Sequence, residues 1–413
     1  MQVPPPTFPP AEGVIFNPTR QAGLARLSAF APQTGQHYAS QRNYDFGPEN
    51  RSTVSVLSPW IKHRLITEEE VLTQTLAHHS LSSSMKFVQE VFWRGYFKGW
   101  LEQHPSVWLT YQRGVTAGFA QLGQNEALKR DYTEAIDGRT GIACFDAWCG
   151  ELKSTGYLHN HSRMWFASIW IFTLRLPWEL GAHFFMCHLI DRDAAANTLS
   201  WRWVGGLHTK GKIYLADPAN IAECTGGRFE PIGQLAQTAN PLEEEVEHPL
   251  VPLPTPTQIP EFEYLHLITP EDCQADKWIS GNSVGALGLM PSPDANQSAQ
   301  IHAFQHSAVK DAVARCSRDA AIAKVSKTWA DDMIHAAESA GIRHIVTSRA
   351  AIGPIATELS RAEDTLRAAG IKLYQVQRRY DRTVWPHASK GFFKLKKQIP
   401  KMLSELEIAQ PHS

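Results

Sequence analysis

The sequence predicts a mainly α-helical domain followed by a smaller α/β domain, and three observations carry that expectation. The first is a series of segments before residue 240 whose apolar positions recur every three or four residues. The second is a break at residues 240–261, where Glu243, Glu244, Glu245 and Glu247 precede prolines at 249, 252, 254, 256 and 260. Such a stretch has too little apolar material to pack and predicts an extended acidic linker. The third is the change of pattern beyond it, where short apolar runs alternate with helical stretches, as a parallel sheet with crossover helices requires.

Taken in order, residues 1–16 form a proline-rich start, Pro4 to Pro10, with neither the basic nor the apolar region of a secretory signal. Helices are expected over Glu68–His78, Ser84–Gln103, Glu126–Ile136, Cys144–Lys153 and His159–Leu174, within a domain spanning 17–239. The longest apolar run, Met164 to Leu174, stops at Arg175 and is far short of the ~20 residues of a bilayer span. Beyond the linker, in a domain spanning 262–413, strands are expected at Tyr264–Ile268, His344–Thr347 and Ile371–Val376.

Composition excludes some classes. A chain of 413 residues with 43% hydrophobic side chains is neither disordered nor a small stapled scaffold. Forty basic against 41 acidic residues leave no global coat for a polyanion, so any such partner must meet a local patch. Six cysteines are too few for a disulfide framework and read as reduced cytosolic thiols; a cytoplasmic protein, monomeric and without a membrane partner, is expected. His159/His161 and His183/Cys187 have helical spacing, but no further ligand completes a metal site, so none is expected.

Ten of the 13 tryptophans lie between Trp60 and Trp203. A large helical core accounts for such usage. The same density also suits a flavin, stacked bases or an electron-transfer chain. In LIDRDAAANTLSWRW, a helix starting near Asp193 would set Asp193, Asn197 and Trp201 on one face. Capping alone explains acids at a helix start. It does not explain Asn197, a poor helix former that needs a partner when turned inward. Asn160, Arg163 and Met164 share a second face, and Arg163 beside an apolar stripe calls for a counter-ion, for which Asp191 is the choice. Glu90, Trp93 and Arg94 share a third.

These runs resemble the FAD-binding helical domain of the DNA photolyase/cryptochrome family. The resemblance rests on LHNHSRMW, on WELGAHFFMCHLIDRDAAANTLSWRW, EVFWRGYF, DGRTGIACFDA, SVLSPWIKHRLIT and YASQR, and covers residues 17–229 in the family's order. It implies FAD held at its diphosphate and ribityl region by Tyr38, Ser55, Leu57 and Ser58, with Thr53 beside Val54 standing in for a usual threonine. It implies an Arg163–Asp191 ion pair beside the isoalloxazine, Asp193 at the pyrimidine edge and Asn197 near N5, where photolyases usually carry asparagine. Trp93 and Trp203 match the aromatics that flank a flipped lesion, and Glu90 the carboxyl that hydrogen-bonds it. Asn160 and Met164 stand where (6-4) photolyases carry histidines, which points to cyclobutane pyrimidine dimers in DNA. The implied reaction is redox-neutral: excited reduced FAD lends an electron to the dimer and recovers it after ring opening. A cryptochrome-like blue-light sensor without repair activity is the alternative.

Several positions depart from the family pattern. The α/β segment follows the helical domain instead of preceding it, so a permuted or vestigial antenna domain is expected, its chromophore unknown. Trp201 and Trp178 match two members of the family's electron relay, but the outer position falls at residues 121–125, which hold no tryptophan; Trp108, Tyr111 or Tyr132 would substitute. His161 replaces an arginine that commonly contacts DNA phosphate, while Arg42 matches a second such contact. Lys390, Lys394, Lys396, Lys397 and Lys401 form a basic run that reads equally as a solvated helix face.

Overall fold

The architecture follows from a computed structural model that describes residues 16–274, 277, 282–293, 296–316 and 321–408; the Pro4–Pro10 run lies outside the described residues. The first half is helical: α1 (Arg20–Phe30), α2 (Gln36–Gln41), α3 (Ser58–Lys62), α4 (Glu68–His78), α5 (Leu81–Gln103), α6 (Pro105–Gln124), α7 (Glu126–Asp137), α8 (Ala143–Thr155), α9 (Asn160–Ser168), α10 (Trp178–His188), α11 (Ala194–Val204) and α12 (Pro218–Cys224). Local chemistry sets their ends. Thr67 and Glu70 form a reciprocal capping box at the start of α4. Gly138 and Gly156, both left-handed, close α7 and α8. The helix expected through Leu174 ends at Ser168 and runs on as a π-helical turn, Ile169–Thr173. Such turns insert one extra residue and rotate the side chains that follow.

The second half contains a five-stranded, all-parallel sheet: β1 (Tyr264–Ile268), β2 (Ser283–Pro291), α13 (Ala299–Arg315), β3 (Ala321–Ser326), α14 (Trp329–Ser339), β4 (His344–Ser348), α15 (Pro354–Ala368) and β5 (Lys372–Val376). The strand order is β3-β2-β1-β4-β5, a doubly wound arrangement. The expected parallel α/β fold is therefore present. Beyond β5, α16 (Arg379–Val384), α17 (Phe392–Lys396) and α18 (Ile399–Glu405) return to the helical half, where α16 and α17 pack on α5. Gly99 permits that approach, because a Cβ there would sit 2.7 Å from Trp385 Cα.

The acidic segment between the halves has no helix or strand over 240–256, yet it is docked. Glu244 receives both Arg202 guanidinium nitrogens at 2.8 and 2.6 Å, and the Val251 amide donates to the Gln103 carbonyl. Ion pairs then join the halves: Lys62–Glu271 at 2.6 Å and Arg64–Asp381 at 3.0 Å, both buried, and the part-exposed Arg349 with buried Glu102 at 3.0 Å. Among the described residues no helix is long and apolar enough to cross a membrane.

Candidate functional site

The site is built where α11 packs against both α5 and α9. Asp193 is the N-cap of α11, its Oδ1 accepting from the Ala196 amide at 3.0 Å. Its other oxygen is buried without a hydrogen-bond donor and faces the Lys98 ammonium at 3.6 Å. Against the upward push of burial, Lys98, Arg94 and Lys62 hold the Asp193 carboxyl down at about 2. Asp191 lies just outside the helix and pairs with Arg163 at 2.9 and 3.3 Å. Arg163 is braced by the Leu158 carbonyl at 2.8 Å. Burial opposes ionisation of Asp191, but the adjacent guanidinium keeps it below the usual carboxylate range.

Asn197 donates through Nδ2 to the Ala182 carbonyl at 2.8 Å, so part of its amide serves the α10–α11 contact. Its oxygen takes no protein donor among the described residues. Trp201 lies one turn on against Gly181, where a Cβ would be 2.3 Å from Cη2. Small residues at 181 and 182 thus receive the Asn197–Trp201 face.

The loop before α3 is the second part. Arg26 donates to the carbonyls of Ser55 at 2.8 Å and Val54 at 3.2 Å, and Val56 adopts a left-handed φ of 57°. The main-chain N–H groups of residues 53–58 find no protein acceptor among the described residues. A mostly buried run of unpaired amides needs an acceptor, and the oxygens of a diphosphate have that chemistry. Ser55, Leu57 and Ser58 belong to this loop. Tyr38 does not point to it simply: its ring packs edge-on against Phe30 and Phe87, and burial pushes its phenol up, with Glu90 and Arg42 nearby.

On α5, Glu90 pairs with Arg42 at 2.6 Å, both side chains about a third exposed. Burial raises the Glu90 carboxyl, and Arg42 opposes it. The expected lesion contact and the expected phosphate contact are thus each other's partner. Trp93 is half-buried and stacks on Phe392 of α17 at 3.7 Å and 11°, so one of its faces is taken. Trp203 stacks on Tyr214 at 5.6 Å. Asn160 is exposed and Met164 partly so, one turn apart on α9.

One expectation is corrected. His161 is not a free phosphate contact: its ring nitrogens are taken by the Asn43 carbonyl at 3.0 Å and the Tyr214 hydroxyl at 3.1 Å, and it stacks on Trp165. Burial lowers its pKa, so it is a neutral brace. Trp178 meets Tyr111 at 5.8 Å, and Trp201 meets Trp170 at 6.2 Å. His159 caps α9 through Nδ1, and among the described residues no group of three His, Cys, Asp or Glu could hold a metal.

Sequence reasoning passed over Lys98 and Arg26. Lys98 lies one turn beyond Arg94 on the same helix, and a lysine in an otherwise aromatic run was the available signal.

The FAD-binding domain of DNA photolyase matches residues 87–238. A deoxyribodipyrimidine photo-lyase of Synechococcus is 33% identical over 198 residues, 46% of this chain and 39% of that protein. Those of Escherichia coli and of a Thermus thermophilus strain are 30% and 32% identical, covering 48% and 52% of this chain and 42% and 49% of theirs. The chain thus spans less than half the length of these curated relatives. Among solved structures, a Synechocystis cryptochrome covers 52% of this chain and 45% of its own at 21% identity and TM-score 0.44. A class III photolyase from Agrobacterium tumefaciens covers 50% and 43% at 24% identity and TM-score 0.42. The donor set suits FAD on its own chemistry: unpaired amides for a diphosphate, a mostly buried guanidinium for an anionic ring, and a carboxylate oxygen and an amide oxygen open to ring N–H groups.

Proposed function

We propose, from the match of residues 87–238 to the FAD-binding domain of DNA photolyase, that the protein repairs cyclobutane pyrimidine dimers in DNA with light. The observation that carries the proposal is the Arg42–Glu90 pair beside Trp93. A guanidinium, a carboxyl and an aromatic plane, all partly exposed, offer a phosphate contact, a base-edge contact and a stacking surface within one short stretch. A packed core has no use for that combination.

When bound, reduced FAD supplies a photoexcitable one-electron donor whose electron is returned at the end of the cycle. The rest falls to this chain. The amides of residues 53–58 would hold the diphosphate, leaving the ring's position to α9 and α11. Arg163, fixed by Asp191 and Leu158, would oppose the negative charge of the reduced ring. Asp193, kept ionised by Lys98, would accept a ring N–H. Glu90, held by Arg42, would offer its carboxyl as a hydrogen-bond partner to the edge of a pyrimidine base. Extruding the lesion costs base stacking, and stacking on an aromatic returns about 1–3 kcal/mol per base.

One observation favours the sensor reading instead. Phe392 occupies a face of Trp93, as in a pocket closed to substrate. The two readings separate in one experiment. The FAD-loaded protein, reduced chemically and illuminated with blue light, is mixed with single-stranded DNA carrying a dimer. Light-dependent loss of dimer is the expected outcome; dimers that survive illumination with reduced FAD in place would leave the sensor.

A further inference from the structure

We propose that α17 and the turn before it form a second nucleic-acid contact, in which Phe393 stacks on an unpaired base next to the lesion and the lysines around it meet phosphates of the same strand. This contact rests on the repair reading above and lies outside residues 87–238, which match the flavin domain.

Residues 390–401, KGFFKLKKQIPK, hold five lysines, and no acid lies between Asp381 and Glu405. Phe392 and Leu395, three residues apart on α17, are buried and seat the helix. Phe392 lies flat on Trp93 at 3.7 Å and meets Tyr96 edge-on at 5.6 Å. With those side chains turned inward, the opposite face meets water. It carries Phe393, 76% exposed, beside exposed Lys394 and Lys397, with exposed Lys390 just ahead. Among the described residues Lys390, Lys394, Lys396 and Lys397 enter no ion pair; Lys401 pairs with Glu405 at 3.6 Å.

A solvated helix face commonly sets lysines against acids one turn away. Here like charges stand one turn apart instead, Lys394 with Lys397 and Lys397 with Lys401. That spacing disfavours the folded segment until an anion lies across it. A phenyl ring held in water among these charges adds nothing to the core. Aromatic planes interleaved with lysines are what grips single-stranded nucleic acid, because a ring stacks on a base of any sequence while ammonium groups follow the backbone.

Position selects the polyanion. Through Phe392, α17 abuts Trp93, which lies one turn from Glu90 on α5, and Glu90 pairs with Arg42 at 2.6 Å. Lys86, exposed, lies one turn before Glu90 and acts on its carboxyl. Cations from two parts of the chain, Arg42 with Lys86 and the lysines of α17, therefore gather around one aromatic plane. A strand whose dimer enters at Glu90 and Trp93 would carry its neighbouring base to Phe393. A lipid surface would use the same charges but has no use for their place beside Trp93.

The test uses the full chain loaded with FAD, in the dark, and measures by anisotropy its affinity for a short fluorescent oligothymidylate with and without one dimer. Phe393→Leu should weaken binding of both strands about tenfold, within the range of one lost stack, and Phe393→Tyr should restore it. Lys394→Ala combined with Lys397→Ala should lower the slope of log affinity against log salt by about 1.4, two phosphates of a single strand. These side chains are exposed, and the FAD content of each variant checks that the fold survives. Affinity and slope that withstand all three changes would return α17 to a solvated face and leave the repair reading standing. A wild-type chain that binds neither strand would overturn the repair reading, and this contact with it. Loss of adhesion to phosphatidylserine–phosphatidylcholine vesicles in Phe393→Leu, at unchanged DNA affinity, would overturn the contact in favour of a membrane.

Discussion

Asp193 caps a helix with one oxygen and presents the other to Lys98, so a single carboxylate links backbone order to site charge. Its ordinary value of 3.8 falls to about 2 in the fold. A depressed carboxylate contributes stability that is present above its unfolded value and disappears as pH falls through the folded one. The shift corresponds to about 2 kcal/mol, available above roughly pH 4 and progressively lost toward pH 2. Asp193→Asn keeps a good N-cap and removes the charge alone. Urea melts should therefore show the variant about 2 kcal/mol less stable at pH 7. The gap should narrow at pH 3; a gap that does not depend on pH would mean the loss is one of packing. Lys98 is then left with Glu271 at 4.0 Å, and FAD affinity should fall with stability at neutral pH.

At the scale of elements, α5 joins the two halves, and Gly99 decides how closely. Helix propensity alone says that Gly99→Ala should stabilise by ~1 kcal/mol. The new Cβ would lie 2.7 Å from Trp385 Cα, a backbone atom that cannot swing away. Overpacking of that kind costs about 1–3 kcal/mol. Steric conflict should win, giving a net loss by chemical denaturation and faster proteolysis of the segment after β5; a stabilised variant would show that Trp385 has room to retreat. The helices themselves were legible: Glu68–His78 matches α4 end for end, and the Arg163–Asp191 pairing followed from the cost of a lone buried guanidinium. What periodicity could not reach were contacts made at a distance. A period of 3.6 runs through Ile169–Thr173 without announcing the π turn or the contact of Trp170 with Trp201. The acidic linker showed its lack of core residues but not Arg202, 3% exposed, waiting for Glu244 from 42 residues away. His161 carried no local sign that Asn43 and Tyr214 would use both its nitrogens.

Across the whole molecule, a sheet that follows the helices in sequence is bound to them by charges buried on both sides. Arg64 and Asp381 are 0% and 2% exposed, Lys62 and Glu271 7% and 8%, and Glu102 accepts from both Arg349 and the Ile352 amide. Separating the halves would strip each of these groups of its partner, and an uncompensated buried charge costs about 3–5 kcal/mol. The covalent connection is then secondary to the seam. Residues 255–258 of the linker are exposed, so a protease site placed at Thr255 is accessible in the folded chain. After complete cleavage the two pieces should still elute together on size exclusion. They should do so in ~1 M salt as well, because there screening removes interactions between solvated charges more than ~3 Å apart and hardly touches buried pairs. Pieces that part at low salt would show the seam to be weak. Pieces that part only at high salt would place these charges in water, against their burial. Co-elution in both would mean that the order of the two domains along the chain is free to vary, since what joins them is side chains meeting across the seam and not the peptide that happens to connect them.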